Sequence, residues 1–149
     1  MVNAKPFKTL AVLTAVVLAL AITILLVDNS SQNLTACATV KASPNIGVYS
    51  DSACTHKLTL INWGSVAAGK TAAQTVYVKN TGTATITLSL AASSWSPPTA
   101  STYLTVSWNQ QGTKLTAGKP TAAKITLTVA STIKGFTTFS NAITITGTG

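Results

Sequence analysis

The side chains able to carry acid–base or metal chemistry are few in this chain of 149 residues. They comprise two carboxylates, Asp28 and Asp51, one histidine, His56, and two cysteines, Cys37 and Cys54. A Ser-His-Asp triad would have to use Asp51 with His56, five positions away in one loop or strand end. The paired carboxylates of a glycosidase would need both aspartates, which lie far apart in the sequence. We therefore predict that the protein is not an enzyme.

The same shortage argues against a metal ion or a cofactor. The histidine and the two cysteines supply at most three nitrogen and sulfur ligands, without the CxxC spacing of zinc sites. Calcium sites need several oxygen ligands, most often carboxylates. The sequence also lacks a glycine-rich phosphate-binding loop. We expect neither a metal site nor a cofactor.

The formal net charge of +8 raises the question of a nucleic-acid partner. Every basic residue is a lysine, and most of the lysines are spread singly along the chain. Arginine, the side chain that most often reads bases and binds phosphates in two-pronged fashion, is absent. Isolated lysines keep a threonine-rich sheet soluble and discourage pairing between sheet edges. We predict no nucleic-acid partner.

The longest apolar run, Leu10 to Val27, contains no charged residue, glycine or proline. As a helix it would span about 27 Å, close to the ~30 Å thickness of the hydrocarbon core of a bilayer. Two lysines precede the run and an aspartate follows it, which places the N-terminus in the cytoplasm. We predict a single-pass protein of the cell membrane. Its parts are a cytoplasmic segment 1–8, a transmembrane or signal-anchor helix 9–27, a polar stalk 28–36 and an extracellular domain 37–149.

Other fates of the hydrophobic run remain open. Cleavage as a signal peptide would leave a secreted domain, although DNSSQ after Val27 is not a small-x-small cleavage site. Leu34-Thr35-Ala36-Cys37 reads like a bacterial lipobox, in which Cys37 would carry lipid, but six polar residues separate it from the run. Lys8-Thr9 resembles the cleavage site of archaeal type IV pilins, whose hydrophobic helix packs into a filament core. Threonine stands here where those pilins have glycine or alanine.

An extracellular location has two consequences for the residues that follow the run. Asn29 and Asn33 begin Asn-x-Ser/Thr sequons, and both are candidate glycosylation sites. Cys37 and Cys54 would lie where disulfides persist, and we expect them to pair. Such a bridge would be worth about 3 kcal/mol in the chain-entropy model. Reduced, buried thiols are the alternative.

Beyond Cys37 apolar residues alternate with polar ones, as in Ile125-Thr126-Leu127-Thr128-Val129, which is typical of half-buried strands. Gly, Pro and Asn separate these runs at short intervals, as turns require. We predict an all-β fold, an immunoglobulin-like β-sandwich of about seven strands. The expected strands are 39–51 as one piece or two, 57–66, 72–80, 83–92, 102–109, 122–130 and 138–147.

The three tryptophans are the large aromatic side chains that could stack on a sugar ring. Trp63 and Trp108 follow or interrupt alternating runs, so we expect them in the core or at strand ends. Trp95 stands beside Pro97 and Pro98 in a predicted loop. It is the candidate ligand contact.

Four short segments carry a family resemblance: VYSDSACT from Val48, INWG from Ile61, VYVKNTG from Val76 and SWN from Ser107. They resemble the single immunoglobulin-like surface domains encoded by archaea. The resemblance covers residues 48–147 and implies a small membrane-anchored surface protein with this fold. Its motifs are structural, and no catalytic residue is implied.

The scarcity of carboxylates bears on acid stability as well. Acid denaturation proceeds mostly through protonation of carboxylates that are paired in the native state. The extracellular part offers only Asp28, Asp51 and the terminal carboxylate. We expect its stability to change little between about pH 2 and 5.

These observations favour a non-enzymatic cell-surface protein. It would display an immunoglobulin-like domain outside the membrane for adhesion or for contact with the cell envelope or its glycans. The rival hypothesis is a filament subunit, assembled through the hydrophobic helix or by exchange of a strand that completes a neighbour's sheet. The candidate donor segment is Cys37 to Val48, and a Cys37–Cys54 bridge would tether it to its own domain.

Overall fold

The computed structural model describes residues 32–43 and 45–149. The predicted cytoplasmic segment, the membrane helix, the pilin-like cleavage site and the sequon at Asn29 lie outside these residues. Among the helices that the structure does describe, none has the length and apolarity that a membrane span needs.

Nine strands and one short helix make up the described part of the chain. They are β1 (Asn33–Ala42), β2 (Ile46–Tyr49), β3 (Leu60–Ala67), β4 (Thr71–Asn80), β5 (Ile86–Ser96), α1 (Ala100–Tyr103), β6 (Leu104–Trp108), β7 (Lys114–Leu115), β8 (Pro120–Val129) and β9 (Thr138–Thr148). One sheet has the order β3-β1-β9-β5-β7, and the other has the order β2-β4-β8-β6. The predicted all-β class with two sheets is confirmed.

The alternation read from the sequence places one face of each sheet in a shared core. In β8, Ile125 and Leu127 are fully buried, whereas Lys124 between Ala123 and Ile125 is exposed. Full burial of an aliphatic side chain of this size is worth about 1.5–3 kcal/mol. The threonines on the outer faces are β-branched and favour extended backbone. The core joins residues of both sheets, among them Leu34, Val76, Leu88, Ile125, Leu127, Ile143 and Ile145.

The N-terminal boundary of the domain differs from the prediction. β1 begins at Asn33, six residues before the expected strand and inside the predicted polar stalk. Its inward positions include Ala36 and Ala38, which are weak strand formers and hide the apolar alternation. Pairing on both sides, with β3 and β9, overrides that local preference. The two-residue strand β7 was also missed, because it is too short to show a period.

A β-bulge interrupts β3, which forms one edge of the five-stranded sheet. Ala36 pairs with Gly64 and Cys37 pairs with Asn62, so Trp63 is the extra residue. Gly64 has a φ of 69°, and its N–H donates a 2.9 Å hydrogen bond to Asn62 Oδ1. Bulges of this kind bend an edge strand and blunt pairing with other chains. Here the bulge also accompanies the burial of the Trp63 ring.

Candidate functional site

Asp51 and His56, the two side chains that a catalytic triad would have required, lie in the loop after β2. The Asp51 carboxylate accepts hydrogen bonds from the backbone N–H of His56 at 2.7 Å and from that of Thr55 at 3.1 and 3.2 Å. The Thr55 hydroxyl donates a further bond of 3.1 Å. Because the His56 and Thr55 amides stabilise the ionised form, the pKa of Asp51 is lowered from 3.8 to about 2. The carboxylate thus fixes the backbone of residues 51–56.

The ring of His56 belongs to the same network. Its Nδ1 lies 3.2 Å from Asp51 Oδ2 and 3.0 Å from the Thr55 hydroxyl, while 80% of the side chain is exposed. Both ionisable groups therefore hold their own loop in shape. Within residues 32–43 and 45–149, no three His, Cys, Asp or Glu side chains group together as metal ligands would.

The two cysteines are free thiols, and this corrects the predicted Cys37–Cys54 disulfide. Cys37 lies at an outward position of β1, in the five-stranded sheet, and is exposed. Cys54 lies in the loop after β2, a strand of the other sheet, where its thiol is 3.9 Å from the carbonyl oxygen of Ser52. Compartment and sequence spacing predicted a bridge, but they carry no information on which face of a sheet a thiol occupies. As a consequence, no disulfide ties β1 to the rest of the domain.

The tryptophans do not form an open stacking platform. Trp95, the candidate ligand contact, is part of β5 and not of a loop. Its ring is half-buried and tilts against Phe139, with 6.0 Å between ring centroids. Trp108 is half-buried at the end of β6, and its Nε1 donates a 2.8 Å hydrogen bond to Gln111 Oε1. Trp63 is buried, as expected.

The second sequon and the lipobox-like segment both fall on β1. Asn33 is exposed at the first position of the strand, where it pairs with Ala67 of β3. Cleavage before Cys37 would remove four residues of β1, including Leu34 and Ala36, which are 0% and 2% exposed. The structure therefore argues against lipidation at Cys37.

The most distinctive site is the slot that β1 fills in the five-stranded sheet. β1 pairs antiparallel with β3 on one side and parallel with β9 on the other. The β1–β9 pair is the single parallel pair among the strands described. Parallel pairing is slightly less stable than antiparallel pairing. The inward side chains of β1 are all buried, and they are Leu34, Ala36, Ala38 and Val40.

Polar atoms without partners line both sides of this slot. The Nε1 atom of Trp63, on β3, and both side-chain polar atoms of Asn141, on β9, are buried without a hydrogen bond to any residue that the structure describes. Asn141 stands beside Ala38 in the register, and Trp63 lies at the bulge opposite Ala36 and Cys37. An unsatisfied buried donor or acceptor costs about 1–3 kcal/mol. The small apolar side chains of β1 offer these atoms nothing to bond.

The predicted donor segment, Cys37 to Val48, covers only part of β1 and extends into β2, and the slot itself was not predicted. The asparagine in the run SNAITIT was the available signal, since it interrupts an apolar face at an inward position. No protein-family model, curated protein or solved structure matches this chain.

Proposed function

We propose that this protein is a non-enzymatic cell-surface protein. An N-terminal signal anchor, residues 9–27, would hold it in the membrane, and an immunoglobulin-like β-sandwich would stand outside for adhesion or envelope contact. The observation that carries this proposal is where Asp51 and His56 form their hydrogen bonds. Asp51 and His56 form hydrogen bonds within their own loop, which supports a structural role for both side chains and favours a non-enzymatic domain.

The topology supports the immunoglobulin-like assignment. Sandwiches of that type have two largely antiparallel sheets, with Greek-key connections that place non-consecutive strands side by side. Here β4 pairs with β8, and β5 pairs with β9. Both pairs lie inside their sheets and join distant parts of the chain.

The outer surfaces suit contact with uncharged polar material. Only 8% of the chain is charged, and the outward positions of the strands carry many threonines and serines. Hydroxyl groups both donate and accept hydrogen bonds, as the hydroxyls of neutral glycans do. A surface of this kind fits the proposed envelope contact and gives a nucleic acid little to bind.

Thiol labelling in intact cells tests this proposal with the full chain. Cys37 is exposed, so a membrane-impermeant maleimide should label it without cell lysis. The matched control carries Cys37→Ser and Cys54→Ser together with Asn3→Cys, in the predicted cytoplasmic segment. We expect that variant to react only after lysis. Labelling of Asn3→Cys in intact cells, or protection of Cys37 until lysis, would overturn the proposed orientation.

A further inference from the structure

We propose that β1 is an exchangeable strand: residues Asn33–Ala42 of one copy fill the slot between β3 and β9 of a second copy. This inference goes beyond surface display and names a partner, a second copy of the same chain. Repeated from copy to copy, the exchange would link domains head to tail, because donor strand and slot are different surfaces of each copy.

The position of β1 in the chain permits the exchange. It is the first strand of the folded unit, and only residues 43–45 connect it to β2, which lies in the other sheet. All remaining strands follow it in sequence, so β1 can leave without unthreading any of them. The free thiols of Cys37 and Cys54 impose no covalent restraint on that movement.

The contacts of β1 favour a second copy as the partner. The slot accepts Leu34, Ala36, Ala38 and Val40 on its inner side, and it pairs with the backbone from Asn33 to Ala42. An identical strand from another copy makes the same contacts with the same residues. The exchanged and unexchanged arrangements therefore differ little in contact energy, which is the condition under which strands swap between protomers.

The unsatisfied polar atoms lower the cost of opening the slot. When β1 leaves, water reaches Trp63 Nε1 and the amide of Asn141, which have no hydrogen-bond partner within residues 32–43 and 45–149 while β1 is in place. Hydration of these atoms offsets part of the loss of apolar contacts. Two of the four inward side chains are alanines, so that loss is also smaller than for a strand of large residues.

A disulfide trap between two full-length chains tests the exchange. The donor chain carries Cys54→Ser and keeps Cys37. The acceptor chain carries Cys37→Ser, Cys54→Ser and Ser140→Cys. Ser140 is the register partner of Cys37 on β9, and both are exposed. Adjacent strands lie about 4.8 Å apart, within the range that a disulfide spans. Neither chain holds both cysteines, so a disulfide between Cys37 and the cysteine introduced at position 140 joins two copies.

The matched control acceptor carries Ser93→Cys in place of Ser140→Cys. Ser93 is an exposed serine on β5, one strand further from β1, and pairs with Ala142 of β9. After co-expression and mild oxidation, we expect at least about tenfold more covalent heterodimer with Ser140→Cys than with Ser93→Cys, because only the first is held at bonding distance. Equal yields, or no heterodimer, would overturn the proposal.

A single chain that carries Cys54→Ser and Ser140→Cys completes the test. The amount of oxidised monomer reports β1 in the slot of its own copy, and the amount of disulfide-linked multimer reports exchange between copies. If only oxidised monomer forms, β1 does not leave the slot of its own copy. The absence of any disulfide would contradict the pairing of β1 with β9.

Adding Asn141→Leu to both chains of the trap should slow heterodimer formation, because the slot then opens less readily. Maleimide labelling reports orientation independently, so either proposal can fail alone.

Discussion

Two asparagines are buried among the described residues, and their hydrogen bonding differs completely. Asn80 Nδ2 donates to the carbonyl oxygens of Ala84 and Leu115 at 2.7 and 2.9 Å, and its Oδ1 accepts from the Gly82 amide at 2.9 Å. Neither side-chain polar atom of Asn141 has a hydrogen-bond partner in the described part of the chain. One side chain thus joins three backbone segments, while the other weakens the sheet that it occupies.

Replacing each asparagine by leucine, which has a similar size, should therefore shift stability in opposite directions. Asn141→Leu removes unsatisfied groups and should raise the free energy of unfolding by about 1–3 kcal/mol. Asn80→Leu leaves the carbonyls of Ala84 and Leu115 without their donor and should lower it by a similar or larger amount. Chemical denaturation of the full chain in detergent measures both. A loss of stability in Asn141→Leu would show that its amide has a partner in solution.

Asp51 gives the domain a pH dependence that its composition did not predict. Its pKa is lowered from the ordinary value of 3.8 to about 2 in the folded chain, because the backbone amides of His56 and Thr55 stabilise the carboxylate. A lowered folded pKa contributes stability above the unfolded value, and that contribution is lost as pH falls through the folded value. The lowered pKa therefore predicts a sloping stability profile where the composition alone favoured a flat one between about pH 2 and 5.

We expect the thermal midpoint to fall as the pH decreases from 3.8 to about 2. The matched variant Asp51→Asn should start from a lower midpoint and change less across the same interval, because it has no charge to lose. Thermal scans at closely spaced pH values compare the two. Parallel curves for both chains would mean that another group governs the acid response.

At the scale of the elements, the bulge of β3 depends on one backbone conformation. Gly64 has a φ of 69°, and a Cβ atom added there would meet nothing within 4 Å. Gly64→Ala should therefore cost about 1–2 kcal/mol, through backbone conformation alone. Gly64→Asn should cost less, because asparagine tolerates this region better. Equal losses in the two variants would indicate that the side chain, and not φ, causes the destabilisation.

Strand β1 should be part of the core although its first residues read as a polar stalk. Leu34 is 0% exposed, so Leu34→Ala should lower the free energy of unfolding by about 2–5 kcal/mol. Leu60 on β3 is 53% exposed, and Leu60→Ala should change the free energy of unfolding by no more than about 0.5 kcal/mol. Denaturation of both variants makes the comparison. Equal and small changes in the free energy of unfolding for the two variants would show that residues 33–36 belong to the stalk and not to the folded domain.

The strands were predictable where large aliphatic residues alternate with threonine. The run Ile125–Val129 and the run Ile143–Thr146 fall in β8 and β9 as expected. The start of β1 was not predictable, because Ala36 and Ala38 carry little hydrophobic signal and the strand depends on pairing with distant segments. The sequence thus reports local periodicity well and long-range pairing poorly.

The details of the site depend even more on long-range geometry. The spacing of Cys37 and Cys54 is compatible with a disulfide, yet Cys37 lies on β1 of the five-stranded sheet and Cys54 in the loop after β2, a strand of the other sheet. The missing partners of Asn141 follow from the neighbouring side chains of β1, which no local pattern reveals. The sequence places Asp51 and His56 five positions apart, but their hydrogen bonds within one loop, which brace it, required the coordinates.

At the scale of the whole molecule, the proposed anchor and the exchangeable strand would act together. β1 begins six positions after the last residue of the predicted membrane helix, residues 9–27, so a membrane would hold donor strands and slots at the same surface. Confinement raises the effective concentration of each for the other. Copies displayed singly could in this way become linked without any further component.

The measurement that tests the separability of β1 most directly is native-state hydrogen exchange on the full chain. If β1 leaves its slot while the rest of the domain stays folded, its amides should exchange at least about tenfold faster than those of β4 and β8, a difference of about 1.4 kcal/mol in opening free energy. The amide of Val40, bonded to the carbonyl oxygen of Thr59 at 2.8 Å, is a suitable probe. Equal protection of β1, β4 and β8 would show that β1 opens only with the whole domain and would contradict the account.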